Sequence, residues 1–139
     1  KDFLLVYVGR LAIEKRLHEL RDIVKGIPNC RLCIVGKGPY EREVKTILVD
    51  TPTVFTGELS GMELSQAFAS GDCFVMPSDS ETLGFVVLES MASGVPVVAA
   101  DAGGLPDIVQ DGQNGFLVPT GNIATYINRI RMLQSDPEM

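Results

Sequence analysis

The residues best suited to chemistry stand just after apolar runs. Gly9, Arg10 and Lys15 follow the run Phe3–Val8. A planar guanidinium fork beside a compact ammonium suits a diphosphate. Lys15 is expected at the start of the next helix, whose amino end would also favour an anion. Two solvated surface cations are the plainer alternative. Their place after the first apolar run of a chain with net charge −6 favours a ligand.

A second group spans Met76 to Glu89. Glu81 precedes a predicted helix and Glu89 lies inside it, about 7.5 Å further along the axis at ~1.5 Å per residue. Both carboxylates can then face one ligand lying across the helix start. Free backbone N–H groups at Leu83, Gly84 and Phe85 lie between them. This pattern suits a sugar nucleotide. Glu89 would chelate ribose hydroxyls, as the acidic residue of dinucleotide folds does, and Glu81 would hold sugar hydroxyls. Helix-dipole stabilisation by Glu81 and a solvated helix face at Glu89 are the alternatives. Glu89 follows Val86, Val87 and Leu88, which predicts a partly buried face.

Weaker signals lie at two other turns. Gly36-Lys37-Gly38-Pro39 could let a ligand approach the backbone, and reads equally well as a plain turn. It matches neither a GxGxxG fingerprint nor a P-loop. Ala102 to Val109 reads by default as a packing turn.

The elements that must position these residues alternate along the whole chain. Strands are predicted over Phe3–Val8, Arg31–Val35, Thr53–Phe55, Cys73–Met76, Val95–Ala99 and Gly115–Val118. Helices are predicted over Glu14–Lys25, Tyr40–Val49, Gly61–Ser70, Gly84–Ser93 and Asn122–Gln134. Several strands are near-continuous Val, Ile, Leu and Phe, as in a parallel sheet buried on both faces. The pattern predicts an α/β fold, a three-layer αβα doubly wound parallel sheet of Rossmann type, with residues 1–139 as one domain. In such sheets ligands bind outside the carboxyl ends of the strands, where these residues cluster.

Composition narrows the function classes. With 45% hydrophobic and 22% charged residues the chain is not disordered. Its 18 acidic and 12 basic side chains speak against a nucleic-acid surface, which needs a clustered basic face. No apolar run reaches the ~18 residues of a membrane span, and no signal-peptide pattern opens the chain. Cys30-x-x-Cys33 leads into a strand rather than a helix, so a redox pair is not expected. One histidine, His18, is too few for a zinc site built with these cysteines. His18 lies off the predicted helix stripe Ile13, Leu17, Leu20 and Val24 and is expected on the surface.

Together, Gly9-Arg10-Leu11, Gly36-x-Gly38-Pro39, Phe55-x-Gly57, Pro77-Ser78, Glu81-x7-Glu89, Ala92-x-Gly94-x-Pro96-Val97 and Gly103-Gly104-x-Pro106 resemble the C-terminal half of a family 4, GT-B-fold retaining glycosyltransferase. The resemblance covers essentially the whole chain. Within the family, stretches such as Val54-Phe55-Thr56-Gly57 and Ser80-Glu81-Thr82-Leu83-Gly84 are most similar to the sulfoquinovosyl-transferring branch of plant and cyanobacterial sulfolipid synthesis. That branch moves sulfoquinovose from a UDP donor onto diacylglycerol. Asp107 departs from the glutamate common in the wider family.

The resemblance implies a diphosphate clamp at Arg10 and Lys15, a ribose ligand at Glu89 and a donor-sugar contact at Glu81. Backbone groups of Thr82, Leu83, Gly84 and Phe85 would support Glu81; Gly38, Pro39 and the backbone near Leu59 would edge the base, and Gly9 would also contact the donor. It implies a nucleotide-sugar donor, no metal and no cofactor. It further implies an N-terminal acceptor domain outside this chain, a lipid acceptor, and a cytoplasmic or membrane-peripheral place, plastid or cyanobacterial for the sulfolipid branch. Asp79-x-Glu81 resembles the acid-x-acid metal site of another glycosyltransferase class, but that site belongs to a different fold. The chain alone is expected to be inactive. A nucleotide-binding module, a related hexosyl or mannosyl transferase, and a GT-B-fold epimerase are the other readings. A receiver domain would need acids after the first strand, where Gly9-Arg10 stands.

Overall fold

A computed structural model describes residues 2–78, 85–102 and 105–136, except the side chains of Phe85 and Asp107. Six strands, β1 (Phe3–Val8), β2 (Cys30–Val35), β3 (Thr53–Gly57), β4 (Cys73–Met76), β5 (Val97–Ala100) and β6 (Gly115–Val118), form one sheet in the order β3-β2-β1-β4-β5-β6. Every pairing is parallel. Helices α1 (Glu19–Lys25), α2 (Glu41–Ile47), α3 (Gly61–Ser70), α4 (Phe85–Ala92) and α5 (Ile123–Ser135) alternate with the strands. The expected doubly wound α/β fold is therefore present. All residues of β4 and β5 are buried, so the sheet is covered on both faces there.

The strand order reverses between β1 and β4, which places a crevice for ligands at their carboxyl ends. Two polar ties hold that seam. At its start, Asp72 Oδ2 accepts the Leu4 amide at 2.8 Å, and the Asp72 amide donates to the Leu4 carbonyl at 2.8 Å. At its far end, the buried Tyr126 hydroxyl of α5 donates to the Met76 carbonyl at 2.9 Å. That bond fixes α5, which packs on α1, to the end of β4.

The predicted first helix is two pieces. A single 3-10 turn, Ile13–Lys15, stops at Arg16, which takes a left-handed conformation (φ 56°) that an α-helix cannot contain. The Arg16 guanidinium then pairs with the buried Glu19 carboxylate at 2.6 Å as α1 begins. Lys15 thus ends a 3-10 turn rather than standing at the start of a long helix, and Ile13 is 72% exposed rather than part of the apolar stripe. His18 is on the surface, as expected. β5 starts at Val97, not Val95. The Val95 amide closes α4 on the Ser90 carbonyl and Pro96 has no N–H to give the ladder. β3 runs on to Gly57 because the Gly57 carbonyl accepts the Gly36 amide. Asn122 caps α5, its Oδ1 accepting the Thr125 amide at 3.1 Å, so the helix proper begins one residue later.

Gly36 is the tightest point of the fold. Its φ is +140°, and a Cβ there would lie 1.9 Å from the Gly9 carbonyl oxygen. Gly112 has an equally unusual φ of +83° but open space around it. Gly112→Ala should therefore cost about 1 kcal/mol, the conformational penalty alone. Gly36→Ala should cost about 3 kcal/mol or more, because backbone must also move. Urea unfolding of the two variants measures both, and equal losses would contradict the close approach.

Candidate functional site

Three strand-to-helix turns are sewn together by backbone hydrogen bonds. The Gly9 amide donates to the Val35 carbonyl (3.0 Å), the Leu11 amide to the Lys37 carbonyl (3.0 Å), and the Tyr40 amide to the Leu11 carbonyl (2.9 Å). The Gly36 amide reaches the Gly57 carbonyl at 2.9 Å. Such close lateral contact leaves no room for side chains. A Cβ on Gly38 would stand 2.3 Å from the Leu11 carbonyl oxygen. These glycines are thus required by packing between turns, whichever ligand the crevice takes.

The sewn turns wall a crevice of about 720 Å³ at the carboxyl ends of β1, β2 and β3. Val8, Gly9 and Arg10 line it from the first turn. Val35, Gly36, Lys37, Gly38, Pro39 and Glu41 line it from the second, and Glu58 and Leu59 from the third. Five residues singled out in the sequence, Gly9, Arg10, Gly38, Pro39 and Leu59, are brought together here. A smaller hollow of about 230 Å³ lies at the amino end of β5 and β6, lined by Met91, Val95, Phe116 and Leu133 among others and by no titratable group. It is remote from the crevice and has no chemistry to offer.

The crevice wall carries one cation with no carboxylate partner among the described residues. Arg16, Arg21, Lys25, Arg31, Lys37 and Lys45 all pair with carboxylates. Arg10 is exposed and has no carboxylate partner among the described residues. An unneutralised guanidinium at the wall of a crevice, in a chain of net charge −6, is a place for an anion. Three charged side chains of the rim, Lys37, Glu41 and Glu58, were not singled out in the sequence. Lys37 and Glu58 face each other at 3.6 Å, joining the second turn to the third. Both are two-thirds exposed, so the pair contributes little to stability. Only their positions beside Gly38 and Leu59 could have pointed to them.

The remaining expected site residues are placed differently. Lys15 is half-buried and is not among the crevice-lining residues. Glu89 is exposed, not partly buried. On a helix each residue turns by about 100°, so the Val86-Val87-Leu88 run says nothing about its successor's face. Val87 and Ser90 define the buried side of α4, and Leu88 and Glu89 look outward. Glu81, Thr82, Leu83 and Gly84 lie outside the described residues, as do Gly103 and Gly104, and Phe85 is described as the first residue of α4. Among the described residues no group of three or more His, Cys, Asp or Glu side chains could hold a metal ion, and no helix is long and apolar enough to cross a membrane.

The doubly wound sheet is the fold of the GT-B glycosyltransferase structures it resembles, and the chain belongs to the family Glycosyl transferases group 1, matched over residues 1–139. It is 49% identical to the sulfoquinovosyl transferase SQD2 of Arabidopsis thaliana over 138 residues, 97% of this chain and 27% of that protein. It is 46% identical to a GDP-mannose-dependent alpha-mannosyltransferase of Mycolicibacterium smegmatis over 113 residues, 81% of this chain and 29% of that protein. Among solved structures, Anabaena Alr3699/HepE in complex with UDP and glucose superposes with a TM-score of 0.91 at 28% identity, covering 99% of this chain and 40% of that one. The chain therefore spans less than a third of the length of these two relatives.

The cysteines stand apart from the crevice. Cys30 and Cys73 are buried, Cys33 is half-buried, and all three are free thiols. Burial pushes the Cys30 thiol up to about 12, helped by Asp2 and Asp72. Burial likewise raises Cys73 and Cys33. A thiol with a raised pKa keeps its proton at pH 8 and is a poor nucleophile. Native protein at pH 8 should thus react with a thiol reagent such as DTNB at well under one equivalent within minutes, and with three after unfolding. Rapid labelling of Cys30 or Cys73 in the native state would contradict their placement.

Proposed function

We propose that the chain is the donor-binding half of a glycosyltransferase that takes a nucleoside diphosphate sugar, with UDP as the nucleotide and sulfoquinovose as the sugar. The observation that carries this reading is the Arg10 guanidinium, without a carboxylate partner among the described residues, beside the glycine-walled crevice. The kinship with SQD2 supports the choice of sugar, and the UDP complex of the similar Anabaena protein supports the choice of base. GDP-mannose-dependent relatives favour a second reading, a mannosyl transferase using the same crevice for guanine.

In this reading the base lies between the turns at Gly38, Pro39 and Leu59, and the diphosphate lies toward Arg10 and Lys15. Transfer breaks the bond between the anomeric carbon and the β-phosphate oxygen, and forms one to an acceptor hydroxyl that gives up its proton. The departing nucleoside diphosphate gains negative charge. A cation at about 4 Å interacts with a unit charge by roughly 4 kcal/mol at an effective dielectric of 20. Arg10 and Lys15 would thus do the work of a metal ion, and no metal or other cofactor is needed. Glu81, with the backbone from Thr82 to Phe85, would hold the sugar, and the exposed Glu89 would reach ribose hydroxyls across the open side of α4. Attack comes from the face the diphosphate leaves, with retention and without a covalent intermediate. The acceptor, diacylglycerol in this reading, is bound by a second, N-terminal domain at a membrane surface, so the chain alone does not turn over.

Titration by calorimetry or thermal shift with UDP, GDP and ADP tests the crevice. The cognate nucleotide at 100 times its Kd should add about 2.7 kcal/mol of stability. A preference for GDP selects the mannosyl reading, and no shift with any of the three overturns both. In the enzyme joined to its acceptor half, Arg10→Ala and Lys15→Ala should each lower turnover by roughly 10²–10³. Their melting points should stay near wild type, and wild-type turnover in both variants would overturn the clamp.

A further inference from the structure

We infer that Tyr7 is a positioning residue for Arg10, setting the aim of the guanidinium on which anion binding depends; the inference rests on the donor-site reading above. Tyr7 belongs to β1 and is fully buried in a largely apolar core. Phenylalanine would fill nearly the same space there. A buried hydroxyl costs free energy unless it is hydrogen-bonded. The Tyr7 hydroxyl donates to the Arg10 carbonyl at 3.1 Å, from beneath the turn.

The turn is built around that phenol. A Cβ on Gly9 would meet the Tyr7 hydroxyl oxygen at 2.7 Å and Cζ at 3.1 Å, so the chain can cross the ring only without a side chain. On either side of Arg10, the Gly9 and Leu11 amides are held by the carbonyls of Val35 and Lys37. The carbonyl of Arg10 itself is held by Tyr7. Three consecutive residues are thus each pinned by one backbone group, and the middle one carries the cation. With an exposed side chain, Arg10 takes its direction from this backbone. Removing the Tyr7 hydroxyl frees the Arg10 carbonyl while leaving the fold and the charge in place.

The test is a double-mutant cycle on the chain with two ligands, UDP and uridine, read by calorimetry alongside melting temperature. Tyr7→Phe should weaken UDP roughly fivefold, the scale of one hydrogen bond. It should leave uridine unchanged, because uridine has no phosphate to meet Arg10. In an Arg10→Ala background the same change should have no further effect on UDP. Unaltered UDP affinity, an equal loss for uridine, or the full loss persisting with Arg10→Ala would each overturn the positioning role. A second pair guards against a simple loss of stability. Gly9→Ala should harm UDP binding more when Tyr7 is present than in the Tyr7→Phe background, where the nearest contact recedes from 2.7 to 3.1 Å. Equal harm in both backgrounds would also overturn it. If wild-type protein binds none of UDP, GDP and ADP, the donor-site reading fails and Tyr7's role fails with it. If wild type binds and Tyr7→Phe binds equally well, only the role of Tyr7 fails.

Discussion

The close lateral contact between the first two turns governs the rest of the site. The Gly9 carbonyl occupies the place a Gly36 side chain would need, and the Leu11 carbonyl does the same to Gly38. This contact allows the Gly9 and Leu11 amides to reach across to the neighbouring turn. In a parallel sheet, loops leaving adjacent strands normally diverge toward their helices. Here they remain hydrogen-bonded beyond the strand ends, so the ladder of β1, β2 and β3 continues into the crevice wall. A ligand then meets backbone with the rigidity of a sheet rather than that of a loop, and less ordering is left to be done on binding.

Electrostatics completes what the backbone begins. The chain is acidic overall, and six of its twelve basic side chains are paired with carboxylates among the described residues. Arg21 and Lys25 share Asp50, whose carboxyl they hold well below the usual range, and this joins α1 to the loop after α2. Glu19 is buried against Arg16. Arg10, without a carboxylate partner among the described residues, gives the crevice wall a cation without any need for a strongly basic patch.

Much of the architecture was legible because its signals are local. β1 and β4 are unbroken apolar runs, and α3 lies over Gly61–Ser70 as its amphipathic pattern and flanking glycines predict. The crevice was legible in part, since Gly9, Arg10, Gly38, Pro39 and Leu59 follow strand ends. What stayed hidden depends on direction. Arg16 sits in a run of good helix formers, and nothing in Glu14-Lys15-Arg16 reveals that its backbone turns left-handed. The face of Glu89 was misjudged because neighbours in sequence are not neighbours around a helix. The bond from Tyr7 to Arg10 and the pairing of Lys37 with Glu58 join atoms whose approach only the folded backbone sets.

The order of the strands has a consequence for inheritance. Among the described residues, those lining the crevice all fall between Val8 and Leu59, on the side of the sheet built by β1, β2 and β3. Residues from Cys73 onward build the other side, β4, β5 and β6, and α3 is the segment that crosses between them. A single genetic exchange within α3 would carry the described crevice wall as one piece, to be fitted to the other half-sheet through the pairing of β1 with β4 and the packing of α1 on α5. Replacing the first stretch would thus keep its turns together but require the seam residues Leu4 and Asp72 to match.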